Sequence, residues 1–166
     1  MLERAERDVP EASFRPADLR ALPFADQEYD LVVCGLALAH LAELNRTIGE
    51  LTRVLRPGGR LVVSVLHPFL AHLGWHAPFA DAEGRRRFVR EHPHTHAEYF
   101  AAFDSAGSQV VGCLEPRMTD DLVQTKERAF RHAPSATVQA YAGLPAVLVW
   151  NAERLGRRGA ASGAVR

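Results

Sequence analysis

The sequence predicts one α/β domain built on a mostly parallel sheet, because apolar strands alternate with amphipathic helices along most of its length. The clearest unit runs from Tyr29 to Leu66. Residues 31–34 form a continuous apolar run, which is typical of a parallel strand covered on both faces. A helical pattern follows, and then a second apolar strand over 60–66. This order predicts a right-handed β-α-β crossover with the two strands parallel.

The helix between these strands is predicted by apolar side chains at spacings of four, three and four residues. These are Leu44, Ile48, Leu51 and Leu55. Arg53 and Arg56 suit the negative end of a helix dipole, and Pro57-Gly58-Gly59 is expected to end the helix. The helix is therefore expected to end before the second strand begins.

Further elements are predicted on both sides of this unit. They are a helix over 1–9 with Met1, Leu2 and Ala5 facing inward, a short strand at 13–15, a helix over 95–106, a strand over 109–115, a helix over 120–130 after the N-cap Thr119, and a strand over 146–150. In the helix over 95–106, Ala97, Phe100 and Ala101 are expected to face inward, with Phe103 as a further candidate.

The predicted domain covers residues 1–154. Within it, residues 69–94 mix aromatic side chains, histidine, glycine and arginine, so they are expected to form a lid or an insertion rather than core. Residues 155–166 are rich in glycine, alanine and arginine, and they are predicted to be a disordered tail.

Composition narrows the class of protein. The chain has 166 residues, of which 47% are hydrophobic and 24% charged, as in ordinary soluble domains. Its net charge is zero, which argues against a general nucleic-acid or anionic-membrane binder. No apolar run approaches the ~20 residues of a membrane span, and the charged amino terminus is no secretory signal. Cys34 and Cys113 lie in apolar runs and are expected to be reduced thiols, so a cytoplasmic location is expected.

Two segments resemble class I S-adenosylmethionine (SAM)-dependent methyltransferases, and among them the small-molecule type 11 enzymes. The first contains Ala17-Asp18-Leu19, Pro23-Phe24 and Tyr29-Asp30-Leu31-Val32-Val33. The second contains Leu51, Val54-Leu55-Arg56-Pro57-Gly58-Gly59 and Leu61. Each alone is a common local pattern, but their order and spacing together are specific. The resemblance covers residues 1–68 and, more weakly, residues 95–153.

The resemblance implies a Rossmann-like, three-layer α/β/α sheet with strand order 3-2-1-4-5-7-6 and strand 7 antiparallel. On this sheet Phe14 lies on strand 3, and residues 31–34, 61–66, 109–115 and 146–150 form strands 4, 5, 6 and 7. Strands 1 and 2, the glycine-rich loop and the acidic residue that ends strand 2 are then expected upstream of Met1. The chain is therefore expected to be an amino-terminally truncated domain in which strand 4 exposes an apolar edge.

Ligands of such sheets lie beyond the carboxyl ends of the strands. The resemblance implies that the Asp18 carboxylate accepts a hydrogen bond from the adenine amino group of SAM, and that the Leu19 N–H meets a ring nitrogen. A turn or helix-capping aspartate is the alternative for Asp18. The turn of Cys34, Gly35 and Leu36 is implied to pass the methionine part of SAM, or else to be an ordinary strand-to-helix turn.

Methyl transfer depends on the orientation of nucleophile and sulfonium, with a base where the nucleophile carries a proton. His67 follows strand 60–66 at the ligand edge and is therefore the best-placed candidate base; a hydrogen-bonded loop histidine is the alternative. His40 stands where relatives often carry a histidine pair, and a packing histidine is its alternative. The alternating His92, His94 and His96 favour a wall of the substrate pocket, with Glu98 and Tyr99, over a metal site, so no metal is expected.

The first functional hypothesis is SAM-dependent methyl transfer to an O, N or C nucleophile of a small molecule. The chain as given is expected to be an impaired fragment that binds SAM weakly or not at all, because no G-x-G-x-x-G loop occurs in it. The alternative is a non-catalytic half-Rossmann module that pairs with another chain, or forms an oligomer, through the open strand edge. An NAD-dependent dehydrogenase is disfavoured because its glycine fingerprint is missing.

Overall fold

The computed structural model describes residues 2–76, 78–125 and 127–156. Its strands are β1 (Tyr29–Gly35), β2 (Leu55–Leu66), β3 (Pro78–Ala80), β4 (Arg86–Phe88), β5 (Ser108–Leu114) and β6 (Val147–Arg154). Its helices are α1 (Leu2–Asp8), α2 (Leu44–Arg53), α3 (Pro68–His72), α4 (His96–Ser105), α5 (Asp120–Gln124), α6 (Glu127–His132) and α7 (Pro134–Tyr141), with a 3₁₀ turn at Leu38–His40. Among the described helices, none is long and apolar enough to cross a bilayer.

The main sheet has four strands in the order β1-β2-β6-β5. Strands β1 and β2 are parallel, and β6 is antiparallel to both of its neighbours. This is the 4-5-7-6 part of the sheet that the resemblance implies, with its antiparallel strand in the expected place. In the described part of the chain β1 has β2 as its one neighbour, so it forms the edge that the sequence predicts.

One face of the sheet carries the core. Helices α2 and α4 contact each other, and their buried side chains pack with those of β2 and β6 around Trp150. In α4 the inward face is Tyr99, Ala102 and Phe103, whereas Phe100 is 51% exposed. The prediction that Ala97, Phe100 and Ala101 face inward is therefore wrong, and only Phe103 is confirmed. Rotating the helix to bury Tyr99 and Phe103 together, four residues apart, hides more apolar surface than burying Phe100 with two alanines.

The sequence predicts that both faces of β1 are covered, but in the structure the face opposite the core is exposed. Leu31 is 57% exposed and Val33 67% exposed, whereas Cys34 on the other face is buried. The continuous apolar run over 31–34 therefore does not mean that β1 is covered on both faces, because the described helices α2 and α4 both pack on the same face of the sheet. Helix α1 forms as predicted, but Leu2 and Ala5 are not buried, and Met1 lies outside the described residues.

Two local predictions need correction. Residues 13–15 form no strand, because none of the described strands lies beside them to share backbone hydrogen bonds. Helix α2 ends at Arg53, and Leu55 and Pro57-Gly58-Gly59 belong to β2. There the register slips, with Leu55 opposite Tyr29 and Arg60 opposite Leu31, so the intervening residues bulge out.

A second, smaller core lies beyond the sheet and holds the carboxyl-terminal helices. Leu70, Met118 and Val123 form it, with residues of α7 packed against them. The helix predicted over 120–130 is two helices, α5 and α6, and α7 was not predicted. In the expected lid, 69–94, strands β3 and β4 form a small antiparallel hairpin. Of the expected tail, residues 157–166 lie outside the described part of the chain.

Candidate active site at the carboxyl edge of the sheet

The carboxyl ends of β1 and β2 lie side by side because the two strands are parallel neighbours. The Leu36 amide, just after β1, donates to the carbonyl of Ser64 on β2 at 2.8 Å. Leu36 has a φ of +54°, an uncommon conformation for a residue with a side chain. The chain therefore leaves β1 in a sharp turn that leads directly into the 3₁₀ turn at Leu38–His40.

Two concave sites meet at this edge. One is a cavity of about 270 Å³ lined by residues that include Leu36, His40, Leu66 and Trp75. The other is an open depression lined by Asp18, Leu19, Ala37, His40 and Leu41. Because His40 lines both, the loops that follow Phe14, Cys34 and Leu66 meet around one side chain.

Asp18 is held by Arg20. Its Oδ1 accepts from the Arg20 amide at 2.8 Å and from Nε at 3.0 Å, and its Oδ2 accepts from Nη2 at 2.8 Å. The Arg20 guanidinium, bonded directly to the carboxylate, lowers the pKa of Asp18 to about 2. These bonds form a turn that matches the alternative named above for Asp18. An adenine role stays a prediction, since a carboxylate has about four acceptor positions.

The Cys34 side chain belongs to the core and not to either concave site. It is 5% exposed, and burial raises the pKa of its thiol. Leu36 reaches the cavity with its side chain. Gly35 pairs with Ser64 in the sheet. A cofactor role for Cys34 and Gly35 therefore rests on their backbone alone and stays a prediction.

His40 is exposed and its orientation is fixed by one hydrogen bond. Its Nδ1 lies 3.2 Å from the carbonyl oxygen of Arg90, so this nitrogen carries the proton and donates. In the neutral ring Nε2 is then the acceptor. The following segment is tied to the same turn, because the His92 amide donates to Ala39 O at 2.6 Å and His94 Nε2 donates to Leu41 O at 2.8 Å.

His67 lies in a different environment. It is 6% exposed, and its Nδ1 accepts from the Phe69 amide at 3.2 Å, which caps α3. Its Nε2 lies 3.3 Å from Glu115 Oε1, and the same oxygen lies 3.0 Å from His96 Nε2. Hydrogen bonds from His96 and then His67 lower the pKa of Glu115. With both ring nitrogens engaged, His67 fits its alternative as a hydrogen-bonded loop histidine, and catalysis by it stays a prediction.

The pocket wall expected from the histidine-rich segment is formed differently. Tyr99 lies in the core, and His96 joins His67 and Glu115 rather than His92 and His94. Two residues that the sequence analysis missed line the cavity, namely Glu91 and His76. The Glu91 side chain is 5% exposed, and its Oε2 lies 3.4 Å from His76 Nδ1. Their position in the expected lid was the available signal.

Known proteins resemble this chain in sequence and in fold. Residues 1–63 match the family described as a methyltransferase domain. A demethylmenaquinone methyltransferase of Renibacterium salmoninarum is 39% identical over 69 residues, which are 41% of this chain and 29% of that protein. A malonyl-[acyl-carrier protein] O-methyltransferase of Coxiella burnetii is 34% identical over 116 residues, 69% of this chain and 35% of that protein. The chain thus spans about a third of the length of these relatives.

The crystal structure of an S-adenosylmethionine-dependent methyltransferase from Mesorhizobium loti has a TM-score of 0.66 to this chain, at 24% identity. The likeness covers 93% of this chain and 76% of that one. The structural likeness therefore extends well beyond residue 63. It includes the later strands, where the resemblance in sequence is weaker. The chain therefore has the fold of the SAM-dependent methyltransferases, and its first 63 residues match the methyltransferase-domain family, as the sequence predicted.

Proposed function

We propose that the carboxyl edge of this sheet takes part in SAM-dependent methyl transfer to an O, N or C nucleophile of a small molecule. The observation that carries the proposal is the meeting of the loops after β1 and β2 around His40, at the edge where open α/β sheets bind ligands. The methyltransferase names of the relatives support the reaction type.

Different residues would hold the two substrates. Asp18 and Leu19 border the open depression, where a carboxylate and a backbone N–H suit the edge of an adenine ring. The cavity next to it, of about 270 Å³, is mostly apolar and suits a small acceptor. SAM, when bound, supplies an activated methyl group. The residues of this chain contribute orientation and the exclusion of water.

His40 is the best-placed general base for a methyl-accepting substrate that reacts through a hydroxyl or an amine. The Arg90 carbonyl fixes the proton on Nδ1, which leaves the Nε2 lone pair for the substrate. His67 is the second candidate, but it would first have to give up its bonds to Phe69 and Glu115. We therefore assign the base role to His40 for acceptors that need one.

Binding of SAM by this chain is expected to be weak. The 166 residues contain no G-x-G-x-x-G loop, whose backbone approaches the ligand closely in Rossmann-type folds. Asp18 also shares its carboxylate with Arg20. We expect a dissociation constant of about 1 mM or weaker, which corresponds to about −4 kcal/mol.

Saturation-transfer NMR, which detects weak ligands, tests this assignment. SAM is titrated against the full chain, against Asp18→Ala, and against the control Asp30→Ala, which removes an exposed acid paired with Arg56. The expected result is transfer to the adenine protons that falls in Asp18→Ala and persists in Asp30→Ala. Equal transfer in both variants removes Asp18 from the site, and micromolar affinity contradicts the expected weakness.

A second function is favoured by the exposed face and edge of β1. Leu31 and Val33 are more than half exposed on a strand with one described neighbour, a combination that invites pairing with another chain. If the chain is a pairing module, sedimentation should show a defined oligomer that Val33→Lys converts to monomer without loss of helix signal. A monomer at all concentrations contradicts this alternative.

A further inference from the structure

Three side chains from separate parts of the chain meet at the carboxyl edge of the sheet. His67 follows β2, Glu115 follows β5, and His96 is the first residue of α4. Since β2 and β5 run in the same direction on either side of β6, their carboxyl ends lie at one edge of the sheet. The topology therefore brings two imidazoles and one carboxylate together across 48 residues of sequence.

The spacing of the three groups matches that of ligands around one metal ion. Glu115 Oε1 lies 3.3 Å from His67 Nε2 and 3.0 Å from His96 Nε2, and one ligand atom from each residue lies within 4.8 Å of the others. Ligand atoms in tetrahedral zinc sites, with bonds of about 2.0–2.1 Å, lie about 3.3 Å apart. The side chains need little movement to surround an ion.

Access from solvent also fits a metal site. The His67 side chain is 8% exposed, whereas those of His96 and Glu115 are 41% and 45% exposed. An ion could thus enter from solvent and keep one position open to water. Imidazole and carboxylate are donors that zinc and related divalent ions accept.

We propose that His67, His96 and Glu115 form a binding site for a divalent transition-metal ion of the zinc type. None of the three residues is among those that line the cavity or the depression at His40, and the proposal does not depend on methyl transfer. It revises the expectation that the chain holds no metal.

Metal binding has a definite proton consequence at His67. In the metal-free ring Nδ1 accepts from the Phe69 amide, so Nε2 carries the proton and donates to Glu115. When Nε2 binds an ion, the ring proton moves to Nδ1, and the capping bond from Phe69 is lost. The Phe69 amide is therefore a reporter of occupancy, although it touches no ion.

Calorimetry with zinc alone tests the proposal. Zn²⁺ is titrated into the full chain, previously stripped with a chelator, and into Glu115→Gln and His96→Gln, which alter partly exposed side chains and spare the buried His67. His132→Gln is the control, since it removes an exposed histidine outside the cluster. We expect one ion per chain in the wild type and in His132→Gln, and affinity at least tenfold lower in each cluster variant.

Equal affinity in all four proteins, or no binding of one ion per chain, overturns the proposal, because surface histidines would then account for any heat. Amide NMR gives a second readout, which follows the ring nitrogen of His67 that binds the ion rather than the heat of binding. At one equivalent of zinc the Phe69 amide should shift in the wild type and much less in Glu115→Gln, in which fewer sites are occupied. An unmoved Phe69 amide at saturating zinc contradicts ligation through His67 Nε2, and circular dichroism confirms that the variants fold.

Discussion

The packed face of the sheet and its carboxyl edge contain different kinds of side chain. On the face, α2, α4 and the strands bury apolar side chains around Trp150, with few polar groups. At the edge lie four histidines and two glutamates, namely His40, His67, His76, His96, Glu91 and Glu115. The side chains that stabilise the fold and those proposed to carry its chemistry therefore lie mostly apart, and His96, which packs against Trp150, joins the two groups.

The largest effect is expected in the packed face. Phe103 is fully buried, so Phe103→Ala should lower the free energy of unfolding by about 3–5 kcal/mol. Phe100, on the same helix, is 51% exposed and is the matched control, with an expected loss of about 1 kcal/mol. Urea denaturation measures both. Similar losses for the two variants contradict the orientation of α4 described above.

A glycine pair tests the junction between α2 and β2. A Cβ on Gly59 would lie 2.9 Å from the Arg56 carbonyl oxygen and 3.1 Å from that of Asp30, so Gly59→Ala should cost about 1–3 kcal/mol. Gly49 lies in α2 with open space around it, and Gly49→Ala should raise stability by about 0.5–1 kcal/mol. Thermal melts of both variants check the opposite signs. A neutral Gly59→Ala would show that the bulge is not tightly packed.

A smaller effect is expected at the start of α4, where the packed face meets the edge. Thr95 accepts from the Glu98 amide, and the Glu98 carboxylate accepts from the Thr95 amide, which forms a capping box. Thr95→Ala should cost about 1 kcal/mol, and Thr95→Ser should recover most of it. Urea denaturation is again the measurement. If Thr95→Ser is as unstable as Thr95→Ala, the hydroxyl is not the stabilising group.

The smallest effect is a pH dependence at the same cap. Hydrogen bonds from the Thr95 amide and hydroxyl lower the pKa of Glu98 below its usual 4.5. The ionised carboxylate therefore stabilises the fold above pH 4.5, and this contribution is lost as pH falls through the lower pKa of the folded state. The stability difference between wild type and Glu98→Gln should be present at pH 7 and vanish in acid. A difference that does not change with pH would contradict the capping role.

The β1-α2-β2 unit was predictable because the periodicity of its strands and helix is local, although Pro57-Gly58-Gly59 lies in β2 and does not end α2. The inward face of α4 was not, because alanines and aromatics occupy both sides of the helix. Phe100 and Phe103 both contact Trp150, so only the packing of the whole helix decides which of them is buried. Asp18, Leu36 and His40 were predicted from the strands and motifs that they follow, and their roles stay predictions. Glu115 was missed because its pairing with His67 depends on the sheet order, which places β5 two strands from β2.

The account depends most on the claim that the loops after β1 and β2 form a ligand site around His40. Chemical-shift mapping of the ¹⁵N-labelled full chain during a titration with SAM tests it directly. The account predicts concentration-dependent shifts of the Leu19, Leu36 and His40 amides, with the Phe103 amide in the packed face unmoved. Shifts confined to other regions, or none at several millimolar SAM, would contradict it.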